Sequence, residues 1–399
     1  MEQPNNKIIR SCMVVFSSYP MDVRVRREAE ALTKAGMKVD VICRTSRGEL
    51  LKEDVRGVMT FRIKLNRRRL GKIGYIWEYL YFFMRALIIV TKLNFSRRYD
   101  IIHVHNMPDF LVFASIFPKF LGAKIILDLH DPMPELFAAL FKTPESHISI
   151  KLLKSIEKLS IKYSNLVITP NIAFKKIFIS RGCSPSKIKI IMNSPDENVF
   201  RWFENTEKEK DLSSNYLLMY HGAIVEHHGL DIGLRSIALL KDKIPNLKLV
   251  VFGEGNFLVK AEMLVEELEL GNFVEFRGIV MNDEIAKFIP QIDLGIIPNR
   301  SNNFTQLNFP VRIFEYITYK KPVIVPKTIG ISDYFDEQSI HYFEPENEQS
   351  LADSIYKVYK NEDEVNDVID RSYEVYKKNT WKLQKENLIK LVTSLINKN

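Results

Sequence analysis

Apolar runs alternate with polar breaks along the first half of the chain. Ile8–Phe16 (IIRSCMVVF) predicts a buried strand. Asp22 is placed to cap a helix in which Val25, Ala29 and Leu32 recur at spacings of four and three, and Gly36 ends it. Strands are predicted over Lys38–Cys43, Thr60–Leu65, Asp100–His105, Lys124–His130, Asn165–Pro170 and Lys187–Met192, with a helix from Pro108 between the third and fourth of these. Alternation stops over the polar segment Ser194–Ser214, the best linker candidate. It resumes with strands over Tyr216–Gly222, Leu247–Gly255, Phe273–Gly278, Asp293–Pro298 and Pro322–Pro326, and an amphipathic helix covers Trp381–Leu395. Strands separated by helices predict an α/β fold of two doubly wound parallel sheets. The expected division is residues 1–200, residues 201–375 and a terminal helix over 376–399. Ligands of such sheets bind beyond the carboxyl ends of the strands, so a cleft between the domains is the expected site.

Composition narrows the class. Of 399 residues, 46% are hydrophobic and 27% charged, which excludes a disordered chain. Cys12, Cys43 and Cys183 are far apart in sequence and form no CxxC, so neither a disulfide framework nor a structural zinc site is expected, and a reducing cytoplasm fits. The net charge of +8 favours anionic partners. No secretory leader pattern opens the chain. The segment from Arg67 to Arg98 sets basic clusters around a run dense in Trp77, Tyr79 and Phe82. It is interrupted by Glu78 and Arg85, too short to span a bilayer, and reads either as an interfacial helix on anionic lipid or as a domain helix packed on its sheet. No nucleic-acid recognition module surrounds it.

Candidate chemistry gathers at strand ends. Pro310 suits a helix start, whose amides and dipole favour an anion. Arg312 adds charge, and Glu315, one turn on, can accept from a diol; the same residues also suit a plain solvated helix pair. Gly253 and Gly255 follow a strand and permit close backbone approach or a tight turn. Gly222 and Gly229 bracket a loop carrying His227 and His228, which reads as a polar loop rather than a metal pair. His103 and His105 share one strand face, and His130 opens the polar loop HDPMPE, with Asp131 and Glu135. His103 reads as a structural residue; His130 is better placed for chemistry. The sequence holds no GxSxG, GxxxxGK[ST] or HExxH.

The ordered series FSSYPMDVRVRREAEALTKAGMKVDVI, DIIHVHNMPDF, ILDLHDPMPELF, LVITPN, MNSPDENVF, YHGAIVEHHGLD, VVFGEG, VEFRG and FPVRIFEYITYKKPVIV resembles the GT-B glycosyltransferases, specifically family 4 of retaining enzymes, over nearly the whole chain. The resemblance implies a GT-B architecture with the terminal helix crossing back to the first domain. It implies a retaining transfer from a nucleotide sugar, as in surface polysaccharide assembly, without metal or other cofactor. Glu315 would hold the donor ribose, Gly222, Gly253 and Gly255 would shape the nucleotide loops, and Gly278 with Ile279 would lie near the base. Pro310 and Arg312 would sit by the diphosphate and His130 at the transfer centre. Asp22, Arg24, His105, Asp131 and Glu135 would face a lipid-linked or glycan acceptor. The chain departs from the family's pattern at Ala223, His228 and Leu307, where an Arg, a Lys and a Glu are usual. A protonated His228 would restore part of the missing charge. The alternatives are an epimerase of the same fold, acting on a free nucleotide sugar, and a non-catalytic subunit on a decayed scaffold.

Overall fold

The computed structural model describes residues 8–46, 48–65, 71–201 and 215–397, without the side chains of 71–73, 75 and 362. Most of the expected linker, over 202–214, and the basic cluster at Arg67 lie outside the described residues. The chain divides into two compact units, Met1–Met192 with Gln384–Asn399, and Asn193–Leu383.

In the first unit, β1 (Arg10–Ser18), β2 (Lys38–Arg44), β3 (Lys52–Val55), β4 (Val58–Ile63), β5 (Ile101–His105), β6 (Lys124–Asp128), β7 (Leu166–Thr169) and β8 (Ile188–Ile190) form one sheet among the described residues. Their order is β3-β4-β2-β1-β5-β6-β7-β8. Every pair is parallel except β3 with β4. Helices cover both faces, so Met13–Val15, Val41–Cys43 and Ile125–Leu127 are continuous buried runs rather than alternating ones. The strand order reverses between β1 and β5, which brings the loops after β1, β5 and β6 to one edge.

The second unit contains β9 (Tyr216–His221), β10 (Leu247–Phe252), β11 (Val274–Phe276), β12 (Leu294–Ile296), β13 (Val323–Pro326) and β14 (His341–Phe343). All pairs are parallel, in the order β11-β10-β9-β12-β13-β14. The order reverses between β9 and β12, which sets the loop after β9 at the switch point. Two parallel Rossmann-like sheets are what the alternation predicts.

The predicted helix from Pro108 is instead a 3-10 turn over Asp109–Ser115 followed by a short helix, Ile116–Phe120. The terminal helix runs Trp381–Asn397 and from Gln384 onward belongs to the first unit. There Gln384 accepts a hydrogen bond from Met192 N at 3.0 Å, and Leu388 and Val392 are buried.

The aromatic segment forms a helix, Gly71–Arg97, with one face packed on the sheet and another exposed. Phe82, Ala86 and Val90 are buried, and the rings of Phe82 and Tyr79 pack edge-on against Phe16 at 5.1 and 4.7 Å. Trp77, Leu80, Tyr81, Met84 and Ile88 form an exposed stripe at helical spacing. No helix among the described residues is long and apolar enough to cross a membrane.

Candidate active site

The loops after β9, β10 and β11 interlock through their backbones. Gly222 N donates to Phe252 O at 3.0 Å, Gly253 N to Gly278 O at 2.7 Å and Ile224 N to Glu254 O at 2.8 Å. Gly222 and Gly253 hold φ values of 122° and 139°, which other residues rarely adopt. A Cβ on Gly253 would lie 1.9 Å from Gly222 O, and one on Gly255 would lie 2.0 Å from Ile224 O. These glycines are therefore required by backbone contact within the protein itself. Gly278, with φ 66°, has open space around it, and Ile279 beside it is exposed.

Glu315 stands on the helix Arg312–Thr318 and faces the end of β9. Its Oε2 lies 2.6 Å from Nε2 of His221. An ionised carboxylate only accepts, so His221 carries its proton on Nε2. The other ring nitrogen meets the Tyr316 hydroxyl at 2.8 Å, and that hydroxyl is 2.9 Å from Met219 O. Tyr316 reaches the strand because β12 carries Gly295, where a Cβ would strike its ring at 2.7 Å. The helix thus holds Glu315 through a buried His–Tyr pair and leaves its second oxygen outside this chain of bonds.

Two expectations about the anion site change. First, the amides of Ile313, Phe314 and Glu315 donate to the carbonyls of Pro310 and Val311, so the first turn offers a shorter row of donors than the Pro310 start predicts. Arg312 is buried, donates to His221 O, and donates to Asn299 Oδ1 at 3.1 Å. Its guanidinium also stacks over Tyr220 at 5.3 Å. Two of its five donors are thereby engaged, one on the carbonyl that enters the Gly222 turn and one on Asn299 beyond β12. Second, burial and the nearby Arg312 charge push the His228 pKa down to about 3. His228 is neutral at pH 7 and bonds to Ala223 O through Nδ1 at 2.7 Å, so it does not replace the missing lysine charge.

In the first unit, Asp22 caps the helix Val23–Lys34 as expected, accepting from Val25 N at 3.3 Å and from Ser17 Oγ at 2.8 Å. Burial raises its pKa, but His130, Arg24 and Ser17 outweigh burial and hold the carboxyl below its usual range. His105 and His130 are in contact, Nδ1 to Nε2 at 3.0 Å. His103 stacks on His105 with ring centroids 4.3 Å apart and is fully buried. Burial, then His105, push the His103 pKa down to about 4. Burial and the Arg24 charge likewise lower that of His130. Nε and Nη1 of Arg24 are buried without a hydrogen-bond partner. Asp131 contributes its carbonyl to Asn106 Nδ2 at 2.8 Å. Glu135 pairs with Arg181, which also binds Glu157 at 2.9 Å, so one Glu135 oxygen is engaged inside the domain.

Sequence reasoning missed the residues that hold these groups. Asn106 Oδ1 accepts from His130 N at 2.8 Å and so ties the loop after β5 to the loop after β6. Asp128 Oδ2 sits 3.2 Å from His130 Nε2 and within 3.5 Å of both His103 and His105. The period of two in DLH puts Asp128 and His130 on one side of their strand, a signal available but unused. His221 was visible only as part of a loop motif, because its partner Glu315 is 94 residues away.

Beyond the two strand-end clusters, each half of the chain matches a known family of its own. A model described as Glycosyltransferase Family 4 matches residues 21–198, and one described as Glycosyl transferases group 1 matches residues 201–375. The chain belongs to the group 1, family 4-like glycosyltransferases. One uncharacterized glycosyltransferase of Methanocaldococcus jannaschii is 23% identical over 342 residues, 83% of this chain and 82% of the relative. A second from that organism is 26% identical over 187 residues, 44% of this chain, and the match spans only 45% of that relative's length. The solved structure of HepE from Anabaena in complex with UDP superposes with a TM-score of 0.73 at 14% identity, covering 97% of this chain and 100% of that one. That likeness supports the GT-B fold for this glycosyltransferase.

Proposed function

We propose that this glycosyltransferase moves a sugar, with retention, from a nucleotide-sugar donor to a lipid-linked or glycan acceptor at a cytoplasmic membrane face, in surface polysaccharide or glycoconjugate assembly. The observation that carries the reading is the Glu315–His221 pair set beside the interlocked glycine loops of the second unit. A carboxylate with one oxygen anchored can accept from both hydroxyls of a ribose with the other. Gly278, with open space around it, lets a nucleotide approach the backbone closely. UDP bound by the HepE structure supports a nucleoside diphosphate as ligand. Arg312, with donors left over, is the fixed charge for the departing diphosphate. His130, neutral and backed by Asp128 and His105, lies on the acceptor-side loops and is placed to accept a hydrogen bond from the attacking hydroxyl. The exposed stripe beginning at Trp77 supports membrane attachment.

A thermal-shift screen against UDP, GDP, ADP, CMP and dTDP, with and without their sugars, tests the reading. A ligand at 100 times its Kd stabilises the fold by about 2.7 kcal/mol. Glu315→Ala is expected to weaken that nucleotide by about 1–3 kcal/mol, the usual cost of removing a charged hydrogen-bond partner. Unchanged affinity in that variant overturns the assignment of Glu315.

A further inference from the structure

The contact between Glu315 and His221 continues inward as a chain of three short separations. Glu315 Oε2 is 2.6 Å from His221 Nε2, His221 Nδ1 is 2.8 Å from the Tyr316 hydroxyl, and that hydroxyl is 2.9 Å from Met219 O. Each is a hydrogen-bond distance, so each holds one proton. Tyr316 and Met219 are fully buried. Burial holds the Tyr316 pKa well above its ordinary value, so the hydroxyl keeps its single proton.

The inner end of the chain fixes the count. Met219 O is a carbonyl and only accepts. The hydroxyl therefore donates to Met219 O and accepts from Nδ1. Were it turned towards Nδ1, two buried oxygens would face each other at 2.9 Å with no proton between them, which folded cores avoid. A further proton lies between Nε2 and Glu315 Oε2. Imidazole and carboxyl thus hold two protons, one more than a neutral imidazole beside a carboxylate. Free imidazole is more basic than a free carboxylate by about two orders of magnitude, which puts both protons on the ring.

The surroundings supply both signs of charge. The helix Arg312–Thr318 brings Glu315, Tyr316 and the Arg312 guanidinium, which donates to His221 O. Tyr220, next along the strand, donates its hydroxyl to Ala223 O at 2.9 Å. On the adjoining strands, Phe252 pairs with His221, and Gly295 lies under the Tyr316 ring. Glu315 favours the second proton and Arg312 opposes it.

We propose that His221 is a positioning residue for the nucleotide donor: braced by Tyr316, its imidazolium anchors one oxygen of Glu315, leaves the other for the ribose, and offsets the carboxylate charge beside the diphosphate. The proposal rests on the reading of Glu315 as the ribose ligand. It gives the donor loops a cation where Ala223 is uncharged and His228 is neutral. Loss of the second proton leaves the pair net negative, so affinity for an anionic nucleotide falls as pH rises.

The test uses the full chain labelled with 15N-histidine, with the His221 ring assigned by its disappearance in His221→Gln. Two protonated ring nitrogens are expected at pH 7. A bare Nδ1 at that pH overturns the proposal. Tyr316→Phe removes the acceptor of the Nδ1 proton and is expected to return the ring to one proton, on Nε2; an unchanged spectrum in that variant also overturns it. Calorimetry with UDP, GDP, ADP, CMP and dTDP supplies the second readout. For the nucleotide bound most tightly, raising the pH is expected to weaken the parent roughly 2–10-fold more than Tyr316→Phe, the worth of about one hydrogen bond. The nucleotide's own ionisation is common to both proteins and cancels. Weakened binding in Glu315→Ala with parent-like affinity and pH dependence in His221→Gln overturns the positioning role and leaves the ribose reading standing. Unchanged affinity in Glu315→Ala, or binding of none of the five, overturns the ribose reading and the positioning role with it.

Discussion

Gly253→Ala is the sharpest perturbation of the nucleotide loops. The added methyl would lie 1.9 Å from Gly222 O and 2.9 Å from Gly222 C, against a backbone wall that no side-chain rotation can relieve. Real contacts of this kind need more than 3 Å, so the β9 and β10 loops must part by over 1 Å. That motion strains the bonds Gly253 N to Gly278 O and Gly222 N to Phe252 O. Two hydrogen bonds at about 1 kcal/mol each, plus about 1–3 kcal/mol for a residue held at φ 139°, give about 3–5 kcal/mol. Gly278→Ala is the control, since φ is 66° and no atom lies within 4 Å of the new Cβ. Its cost is limited to about 1–2 kcal/mol for the left-handed backbone. Gly271, with neither positive φ nor neighbours, is expected to gain slightly on substitution by Ala. Urea midpoints of the three variants, with nucleotide affinity alongside, provide the readout. Equal losses at Gly253 and Gly278 would refute the argument, because only the first site has the clash.

Other outcomes follow from the same geometry. Burial outweighs the Arg181 charge and pushes the Glu157 pKa up to about 8, so Arg181→Ala lets that carboxyl protonate and is expected to cost about 1–3 kcal/mol of lost charged hydrogen bonds in chemical denaturation, with Arg181→Lys intermediate. Burial, then the Lys357 charge, hold the His341 pKa down to about 4, against 6.5. The unfolded chain therefore binds the extra proton first, and stability present above pH 6.5 is lost as pH falls towards 4. Lowering the pH from 7 to 5 is expected to cost on the order of 1–2 kcal/mol at this site, and His341→Gln should flatten that part of the stability profile. Trp77, Leu80 and Tyr81 changed together to Ser should release the protein from anionic vesicles with little change in melting temperature. Phe82→Ser should instead lower the melting temperature, since that ring is buried against Phe16.

Much of this molecule was legible in order and chemistry. The alternation of apolar runs marked twelve of the strands, because a strand covered on both faces must be continuously apolar. It missed β3 and β14. KEDV at β3 is charged because it lies on an antiparallel edge, with two of its four residues exposed, and HYF at β14 is only three residues long. The Asp22 cap was readable because a cap acts on its own helix within three residues. The glycines and Glu315 were readable as candidates because strand ends, turns and a helix face are local.

What tertiary structure alone decided is which distant groups meet. Glu315 finds His221 across 94 residues, and His130 finds His105 across 25. Arg312 looked like a free phosphate clamp, yet packing turns two of its donors onto the His221 and Asn299 oxygens. His228 looked ionisable, yet burial beside that same guanidinium keeps it neutral. Trp77 and Phe82 share one helical run, and only the position of Phe16 separates the exposed ring from the buried one. Local patterns report what a segment prefers. Desolvation and charge pairing depend on which other segments arrive beside it, and only the assembled fold sets that.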